Sequence, residues 1–520
     1  MSRPATGGLD EQADHPESAR PWWPAVVVLG AAALVGLALR FYPDTPLWLD
    51  EALSVNIARL PIGEIPAALR LDGHPPLYYV LLHGWMSVFG ESDAAVRALS
   101  ALFSILTVPL LWWTVRPRGR RVAWVAAGLL AASPFAIRYA TEARMYSLVM
   151  LLVVAGWLAV ERSIERPSFW RLVGVAACTG LLLLTHYWSM FLLAAVGIVL
   201  LWAALRRGVA AAWKVIAAMA VGGLAFLPWV PSFLTQLQHT GTPWGEASRP
   251  ADVVWLSAVD FVGGPFSEPQ LAAALLLALV VVGLFGRRNP APAVLVMDRR
   301  PVTAAVPPAT IVALTLAIGW AVSLASSSTF QPRYASFVLA PVLLLVAMGL
   351  LRFGQRRVAL GLAVILVGAG WVGVLEDLQG DRTQAAQIAA AIDTEAGPDD
   401  VVVFCPDQLG PAVMRELDTD ITGVTYPLFN QPERVDWTDY ADRHAASSPN
   451  EFVDELLTSV VPDGGRVWLV ARDGYRTVEG QCAEIAALLS AQRGTTVVVT
   501  ADVDTFYEPA TLYLSPPPEP

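Results

Sequence analysis

Long apolar segments recur along this chain, and they limit its possible folds more than any other feature. A helix crosses the roughly 30 Å hydrocarbon core of a membrane with about 20 apolar residues. The chain has 520 residues, of which 55% are hydrophobic and only 15% charged, whereas soluble domains carry roughly 25% charged residues. We therefore predict a mainly α fold, a polytopic transmembrane helical bundle of about 11 spans, and exclude a wholly soluble protein. The predicted spans lie near residues 24–40, 97–115, 122–138, 146–161, 172–187, 189–205, 213–230, 270–286, 303–325, 335–351 and 357–375.

One further apolar segment, 75–90, decides the topology. It is short and contains His83 and Gly84, so it either crosses the membrane or lies flat in the interface. If it lies flat, every later arginine cluster falls on one side, as the positive-inside rule requires. We therefore predict an interfacial segment, a cytoplasmic N-terminus and an outward-facing C-terminus in a multi-pass protein of the plasma (inner) membrane. The clusters lie at 116–121, 162–171, 206–207, 287–300 and 352–357.

This topology divides the chain into four parts. Residues 1–23 read as a disordered cytoplasmic tail, and 24–375 form the transmembrane catalytic domain, whose first outer loop, 41–96, carries interfacial helices. Residues 376–520 alternate short β-branched runs with helix-like stretches, which is typical of a small α/β domain. We interpret this last part as an extracytoplasmic accessory domain. Its predicted strands are 401–404, 467–470, 495–500 and 511–514, with a helix at 483–489.

Charge and cysteine content exclude two classes of function. The segment from Glu376 onward carries 26 acidic residues against eight arginines, and the rest of the chain has a net charge of +8. Since membrane topology already explains the basic residues, no face suited to nucleic acid remains. Of the three cysteines, Cys178 lies in an apolar run, so at most Cys405 and Cys482 can pair, and redox chemistry is not indicated.

The first outer loop opens with an acidic pair, Asp50 and Glu51, directly after the apolar sequence Leu47-Trp48-Leu49. Desolvation raises the pKa of a carboxyl group toward the range of a general base. Neighbouring helical residues point about 100° apart, so the two carboxylates are expected to do different jobs. The alternative is structural, with Asp50 as the N-cap and Glu51 as a first-turn acid of a helix over 51–60.

A second polar motif, Asp72-Gly73-His74-Pro75-Pro76, precedes the interfacial segment. The prolines fix an extended approach to the next helix, which presents Asp72 and His74 at the membrane surface. There either residue can hold a metal, a phosphate or a hydroxyl group. The alternative is that His74 is an ordinary turn residue.

Four arginines lie on the side where the positive-inside rule does not require them. Guanidinium groups bind phosphate oxygens through paired, charge-assisted hydrogen bonds, so these arginines indicate a lipid-phosphate substrate. For at least one of them the alternative is an ion pair with Glu142 or an interaction with lipid headgroups. The four are Arg97, Arg138, Arg144 and Arg333.

Aromatic residues in the outward loops are further candidates for binding a sugar. His186 and Tyr187 are followed by Trp188, and Trp244 precedes Glu246. Such tryptophans are also expected in the interfacial belts of a membrane protein.

Five motifs together resemble the GT-C glycosyltransferases, and among these the protein O-mannosyltransferases and the bacterial aminoarabinose-transferase-like enzymes. The resemblance covers about residues 24–375. The motifs, in order, are Leu49-Asp50-Glu51, His74-Pro75-Pro76-Leu77, Val96-Arg97-Ala98-Leu99-Ser100-Ala101-Leu102, Arg138-Tyr139 and Pro332-Arg333-Tyr334.

The resemblance implies an inverting transferase that takes a sugar from a polyprenyl-phosphate carrier on the outer face of the membrane. Asp50 is then the base that deprotonates the acceptor hydroxyl, and Glu51 orients the acceptor or supports Asp50. The implied phosphate ligands are Arg97, Arg138, Arg144, Arg333 and His74, and the implied substrate ligands are Asp72, Tyr139, Glu142, His186, Tyr187 and Tyr334.

The implied partners are the polyprenyl-phosphate-linked sugar, an acceptor glycan, lipid or protein, and membrane lipids. A divalent metal is a possible cofactor, with Asp72 and His74 as its ligands if one is bound. Some relatives bind such a metal near this loop, but here Gly73 stands where their metal-binding glutamate would be.

Two other functions remain as alternatives. A polytopic lipid or sugar transporter or flippase also places charges at membrane depth, but such folds often show paired repeats, which this sequence lacks. A non-catalytic membrane scaffold presenting the acidic C-terminal domain leaves Asp50, Glu51 and the outer arginines without a role.

Overall fold

The computed structural model describes residues 23–42, 45–241, 249–264, 269–287, 294–324 and 330–517. The predicted N-terminal tail, up to residue 22, lies outside the described residues, and so does the candidate sugar-binding segment 244–246.

The membrane part is built almost entirely of helices, separated by short turns. Its helices are α1 (Trp23–Leu39), α2 (Leu49–Ala58), α3 (Ile65–Asp72), α4 (Leu77–Phe89), α5 (Asp93–Val115), α6 (Arg120–Ala131), α7 (Pro134–Arg138), α8 (Tyr146–Glu165), α9 (Phe169–Leu183), α10 (Ser189–Arg207), α11 (Ala210–Gly223), α12 (Val230–His239), α13 (Pro250–Phe261), α14 (Pro269–Phe285), α15 (Val306–Ser323), α16 (Leu339–Leu350) and α17 (Arg356–Gln379). A two-stranded ribbon, β1 (Gly286–Arg287) with β2 (Val296–Met297), lies between α14 and α15.

The predicted spans correspond to helices of two lengths. Among the described residues, six helical segments are long and apolar enough to cross a membrane, and four shorter apolar helices coincide with predicted spans near 24–40, 172–187, 270–286 and 335–351. The segment predicted to lie flat forms the apolar helix α4. The predicted fold class, a polytopic helical membrane protein with a small C-terminal α/β domain, is confirmed.

Two predicted spans are interrupted, and both interruptions matter for the site. The span predicted at 122–138 stops at Ala131, and Ser133 then caps the separate short helix α7, with its Oγ accepting from the Ala136 N–H at 3.3 Å. Pro134 explains the break, because proline fits the first turn of a helix but not its interior. The span predicted at 335–351 begins instead with a 3₁₀ turn, Pro332–Phe337. Both breaks turn polar side chains into the protein.

The C-terminal part forms a five-stranded sheet with helices packed against it. The elements are α18 (Ala385–Glu395), β3 (Val401–Cys405), α19 (Gly410–Glu416), β4 (Thr422–Thr425), α20 (Tyr440–Ala445), α21 (Pro449–Glu455), β5 (Val467–Ala471), α22 (Gln481–Arg493), β6 (Thr496–Val499) and β7 (Thr511–Ser515). The strand order is β4-β3-β5-β7-β6, with β3 parallel to β4 and β5, and with β7 antiparallel to β5 and β6. Four strands and the α22 helix match the prediction, whereas β4 was missed because it is short and contains Gly423.

A disulfide and several interdomain contacts fix this sheet domain in place. Cys405 and Cys482 are bonded, as the cysteine count allowed. Arg415 reaches the start of α5, where its Nη2 lies 2.7 Å from Asp93 Oδ1. On α2, Leu49 and Leu53 pack in one apolar cluster with residues of the C-terminal domain. The domain therefore packs directly on the helix that carries the acidic pair.

Candidate functional site

The acidic pair lies in the first turn of α2. The helix begins at Leu49, and its N-cap residue is Trp48, not Asp50 as the structural alternative assumed. The Asp50 side chain is 17% exposed and the Glu51 side chain 1%. The two carboxylates enter different groups of charged residues, which we call the open cluster (Asp50, Asp72, His74, Arg144 and Arg333) and the closed cluster (Glu51 and Arg97).

Two arginines from distant loops meet at Asp50. Arg333 donates from Nη1 to Asp50 Oδ2 at 3.0 Å, and Arg144 Nη2 lies 3.7 Å from the same oxygen. Arg144 Nη1 also donates to the Asp50 main-chain oxygen at 3.2 Å and to Ser54 Oγ at 3.1 Å. Arg144 is therefore tied to α2 by several contacts, whereas Arg333 makes one.

The charges around Asp50 correct the expectation drawn from its apolar neighbours. Burial by itself raises the pKa of Asp50, but the positive charges of Arg144 and Arg333 outweigh burial and hold the pKa below its ordinary value. The prediction of a raised pKa was therefore wrong for the free protein. Asp50 is fully ionised at neutral pH.

Asp72 and His74 extend the open cluster through a chain of hydrogen bonds. Asp72 Oδ2 accepts from the Tyr79 hydroxyl at 2.9 Å and lies 2.8 Å from His74 Nδ1. His74 Nε2 lies 3.3 Å from Arg144 Nη2, and because an arginine can only donate, this nitrogen is the acceptor. In this arrangement the Nδ1 proton of His74 is donated to Asp72.

Arg333 has the largest unused hydrogen-bonding capacity in the open cluster. Its guanidinium carries five N–H groups, and within the part of the chain that the structure describes it makes a single hydrogen bond, to Asp50. Its Nε is buried and unpaired there, and its side chain is 26% exposed. Arg333 can therefore accept an anionic ligand without releasing any partner other than Asp50.

His186 presents a further unused donor near this cluster. Its Nδ1 accepts from the Trp188 main-chain N–H at 3.2 Å, which leaves the proton on Nε2. That buried Nε2 has no acceptor among the described residues. The imidazole lies 6.3 Å from the His74 ring and 5.2 Å from the Tyr334 ring, centroid to centroid. The predicted residues His74, His186 and Tyr334 are thus brought together.

Each side-chain nitrogen and oxygen of the closed cluster already has a hydrogen-bond partner. Arg97 donates from Nε and Nη2 to the two carboxylate oxygens of Glu51, at 2.8 and 2.7 Å. Glu51 Oε1 also accepts from the Ala143 N–H at 2.8 Å, and the remaining Arg97 donors reach the main-chain oxygens of Thr45 and Pro46. The structure thus directs Arg97 to Glu51 and the main chain, and not to Asp50.

Arg138, whose side chain is 27% exposed, and the buried Glu142 belong to a separate network of charged residues. Arg382 donates to Glu142 Oε1 at 2.5 Å and to Asp377 Oδ2 at 2.7 Å. Arg138 lies 3.6 to 3.7 Å from carboxylate oxygens of Glu142, Asp260 and Asp377. The alternative reading of Arg138 as an ion-pair partner of Glu142 thus describes its surroundings, and neither residue contacts Asp50.

Two predicted tyrosines are also occupied by the protein. Tyr139 donates to Asp260 Oδ2 at 3.1 Å. The Tyr187 hydroxyl bonds to Gln236 and accepts from Trp229 Nε1. Both side chains therefore hold helices together in this structure.

Sequence reasoning missed Arg382, Asp260, Asp377 and Glu508. The first three had one usable signal, a charge beside or within an apolar segment. As for a metal, the described residues contain no group of three or more histidine, cysteine, aspartate or glutamate side chains able to hold one. Among the described residues, no third side chain of these types joins Asp72 and His74.

One family model matches part of the chain. Residues 73–231 match the model described as dolichyl-phosphate-mannose-protein mannosyltransferase. The search of curated protein sequences finds no match.

Solved structures match nearly the whole chain at low sequence identity. ArnT from Cupriavidus metallidurans in the apo state has a TM-score of 0.63 at 14% identity, over 94% of this chain and 98% of that one. The same protein bound to undecaprenyl phosphate has a TM-score of 0.60 at 14% identity, over 95% and 98%. The mycobacterial arabinofuranosyltransferase AftD has a TM-score of 0.51 at 17% identity, over 95% of this chain and 40% of that one. The expected resemblance to GT-C glycosyltransferases is confirmed, and the chain has their fold.

Proposed function

We propose that this GT-C-fold membrane protein is an inverting glycosyltransferase that moves a sugar from a polyprenyl-phosphate carrier to a hydroxyl group of an envelope glycan, a lipid or a protein. One observation carries the proposal. Asp50 lies partly exposed between Arg144 and Arg333, while the neighbouring Glu51 is locked in an ion pair. A base and unused phosphate ligands thus lie side by side.

Arg333 is the proposed main ligand of the donor phosphate, with Arg144 behind it. As the glycosidic bond breaks, the electron pair moves onto the phosphate oxygen and its negative charge grows. Fixed guanidinium groups bind that charge most strongly in the transition state, which lowers the barrier. A solved structure of the same fold holds undecaprenyl phosphate, which supports a lipid phosphate as the ligand.

Asp50 is the proposed base that takes the proton from the acceptor hydroxyl as this oxygen attacks the anomeric carbon. In the free protein its low pKa makes it a weak base. A donor phosphate bound to Arg333 competes for the same guanidinium and adds a negative charge nearby. Both effects raise the proton affinity of Asp50, so donor binding strengthens the base.

Asp72, His74 and His186 are the proposed positioning groups. The chain from Asp72 through His74 to Arg144 fixes the guanidinium relative to Asp50. The free Nε2–H of His186 can donate to a phosphate or sugar oxygen. Arg97, Glu142, Tyr139 and Tyr187 are assigned structural roles in this proposal, since they hydrogen-bond other parts of the protein. Arg138 is assigned a structural role because it lies between three carboxylates, although its Nε has no hydrogen-bond partner among the described residues.

The proposed location is the outer face of the plasma membrane. The arginine clusters favour a cytoplasmic N-terminus. The disulfide between Cys405 and Cys482 favours an oxidising compartment for the C-terminal domain. Both arguments support a position of the open cluster outside the cytoplasm, where polyprenyl-phosphate sugars replace nucleotide sugars as donors.

The test is sugar transfer by the purified protein in liposomes containing a panel of polyprenyl-phosphate sugars. The Asp50→Asn variant should lose roughly 10²- to 10⁴-fold in kcat, the usual contribution of a positioned base. Asp454→Asn changes an exposed aspartate of the C-terminal domain and should leave the rate unchanged. Full transfer by Asp50→Asn would reject Asp50 as the base. Movement of lipid between leaflets without sugar transfer would reject the transferase in favour of a flippase.

A further inference from the structure

Helix α2 has no cap of its own at the end that carries the acidic pair. The first N–H groups of a helix lack partners within it, and a side-chain oxygen usually accepts from one of them. Here the N-cap residue is Trp48, which makes no such hydrogen bond. The Leu49 N–H donates instead to Glu508 Oε2 at 3.1 Å, across 459 positions of the chain.

The main chain around Glu508 is fixed just beyond the last membrane helix. The Glu508 N–H donates to the Arg382 main-chain oxygen at 2.8 Å, and the Gln384 N–H donates to the Glu508 oxygen at 3.2 Å. The Trp48 ring, which precedes α2, meets Tyr507 edge-on at 5.9 Å and lies 5.7 Å from the Arg382 guanidinium. The start of α2 is therefore held by the C-terminal domain from two sides.

We propose that Glu508 is a positioning residue that caps α2 and thereby holds Asp50 in its reactive position, so that the C-terminal domain completes the active site. This inference rests on the proposed function, since Asp50 is the group being positioned. Asp50 is the second residue of the helix, so any fraying of the first turn moves it directly. A displacement of about 1 Å at a reacting group can lower a rate by 10²-fold.

The Glu508 carboxyl group can cap the helix while it is protonated, because its carbonyl oxygen remains an acceptor. Burial, more than any other cause, raises the pKa of Glu508 to about 8, and the nearby charge of Asp50 adds to the shift. At neutral pH the group is then mostly protonated, and its carbonyl oxygen still accepts from Leu49. A glutamine presents the same oxygen at the same length of side chain.

The test compares four variants of the full chain in the liposome transfer assay. Glu508→Ala should lower kcat by roughly 10- to 100-fold and leave KM for the donor within about twofold. Glu508→Gln should keep kcat within about threefold of the wild type, because it restores the acceptor. Glu479→Ala, at an exposed glutamate of the same domain, and Arg415→Ala, which loosens the contact with α5 and not the one with α2, should retain wild-type kcat.

A second measurement does not depend on activity. Hydrogen exchange of a peptide covering α2 should be faster in Glu508→Ala than in the wild type or in Glu508→Gln, because an uncapped first turn opens more often. The inference is overturned if Glu508→Ala transfers sugar at the wild-type rate, if Glu508→Gln is as slow as Glu508→Ala, or if Arg415→Ala is equally slow. These results are distinct from failure of the proposed function: an active Asp50→Asn would reject Asp50 as the base, and a wild-type protein without sugar transfer would reject the transferase, whatever Glu508 does.

Discussion

Asp50 and Glu51 are neighbours in one turn of helix, yet their surroundings are opposite. Glu51 is 1% exposed, and both its oxygens are bonded to Arg97 at 2.7 and 2.8 Å. Asp50 is 17% exposed, with Arg333 at 3.0 Å and Arg144 at 3.7 Å. The closed cluster has used its donors and acceptors. Within the described residues, the open cluster keeps unpaired donors on Arg144 and Arg333, and the nearby His186 keeps another.

The two carboxylates differ in whether the hydrogen-bonding groups around them already have partners. This property distinguishes a structural carboxylate from a reactive one. A saturated, buried ion pair gains nothing from a ligand and suffers when one partner is removed. An unsaturated group that reaches a surface can bind a ligand and change its pKa in response. Replacing the carboxylate by its amide should therefore lower stability at Glu51 and activity at Asp50.

The largest expected effect is on stability, at Glu51. Glu51→Gln leaves Arg97 buried without its countercharge, which should lower the free energy of unfolding by about 3–5 kcal/mol. Asp50→Asn, at a more exposed site that already has two cations in reach, should change it by less than about 1 kcal/mol. Unfolding in mixed detergent micelles measures both. A Glu51→Gln protein that is stable but inactive would break the comparison, because Glu51 would then act in the chemistry.

The next effect separates Arg333 from Arg97. Arg333→Ala should lower kcat by about 10²–10³-fold with little change in unfolding, since loss of one electrostatic donor to a transition state has this size. Arg97→Ala should instead unfold at lower denaturant concentration, as Glu51→Gln does. Arg333→Lys is the matched control: it keeps the charge but not the planar fork and should recover part of the rate. Equal loss of activity in folded Arg97→Ala and Arg333→Ala would contradict the division.

The sequence predicts most of the helices and strands, but not the places where a predicted helix is interrupted. Apolar length located the membrane helices, and β-branched runs located four of the five C-terminal strands. The break before Pro134 was missed, although the proline marks it, because the apolar pattern continues across it. The 3₁₀ turn Pro332–Phe337, which takes up the first residues of the span predicted at 335–351, was missed as well. The fifth strand, β4, is short and contains Gly423, so local propensity does not show it.

The site could be predicted only as a set of residue types. Local motifs pointed to Asp50, His74 and Arg333, which lie in the open cluster. Which arginine reaches which carboxylate depends on tertiary distances: Arg97 bonds Glu51, while Arg144, within the same short segment as Arg138, approaches Asp50. Glu508, 459 residues from its partner Leu49, has no local signature at all.

A smaller effect should appear in the pH dependence of the reaction. The pKa of Asp50 is held below its ordinary value by Arg144 and Arg333 in the free protein, so kcat/KM for the donor should stay flat down to about pH 5. Bound donor phosphate competes for Arg333 and raises the pKa of Asp50, so the acid limb of kcat should lie at higher pH than that of kcat/KM. A shift of one unit changes the rate about tenfold on that limb.

Arg333→Lys supplies the control for this profile. A lysine holds the carboxylate less firmly, so the two limbs should move closer together. Coincident limbs in the wild type would mean that donor phosphate leaves the surroundings of Asp50 unchanged, and the open cluster would then be no more responsive than the closed one.

The smallest effect is expected at His186. His186→Phe keeps a ring against Tyr334 and Phe337 but removes the Nε2–H, so the rate at low donor concentration should fall about fivefold, the equivalent of one hydrogen bond worth about 1 kcal/mol. The unfolding midpoint should not fall, because that N–H bonds to no acceptor in the described part of the protein. Tyr187→Phe is the contrasting variant: its hydroxyl bonds Gln236 and Trp229, so stability should fall while the rate holds. If His186→Phe instead loses stability and keeps its rate, the Nε2–H of His186 has a structural role. The lack of a hydrogen-bond partner then does not identify the groups that contact the substrate.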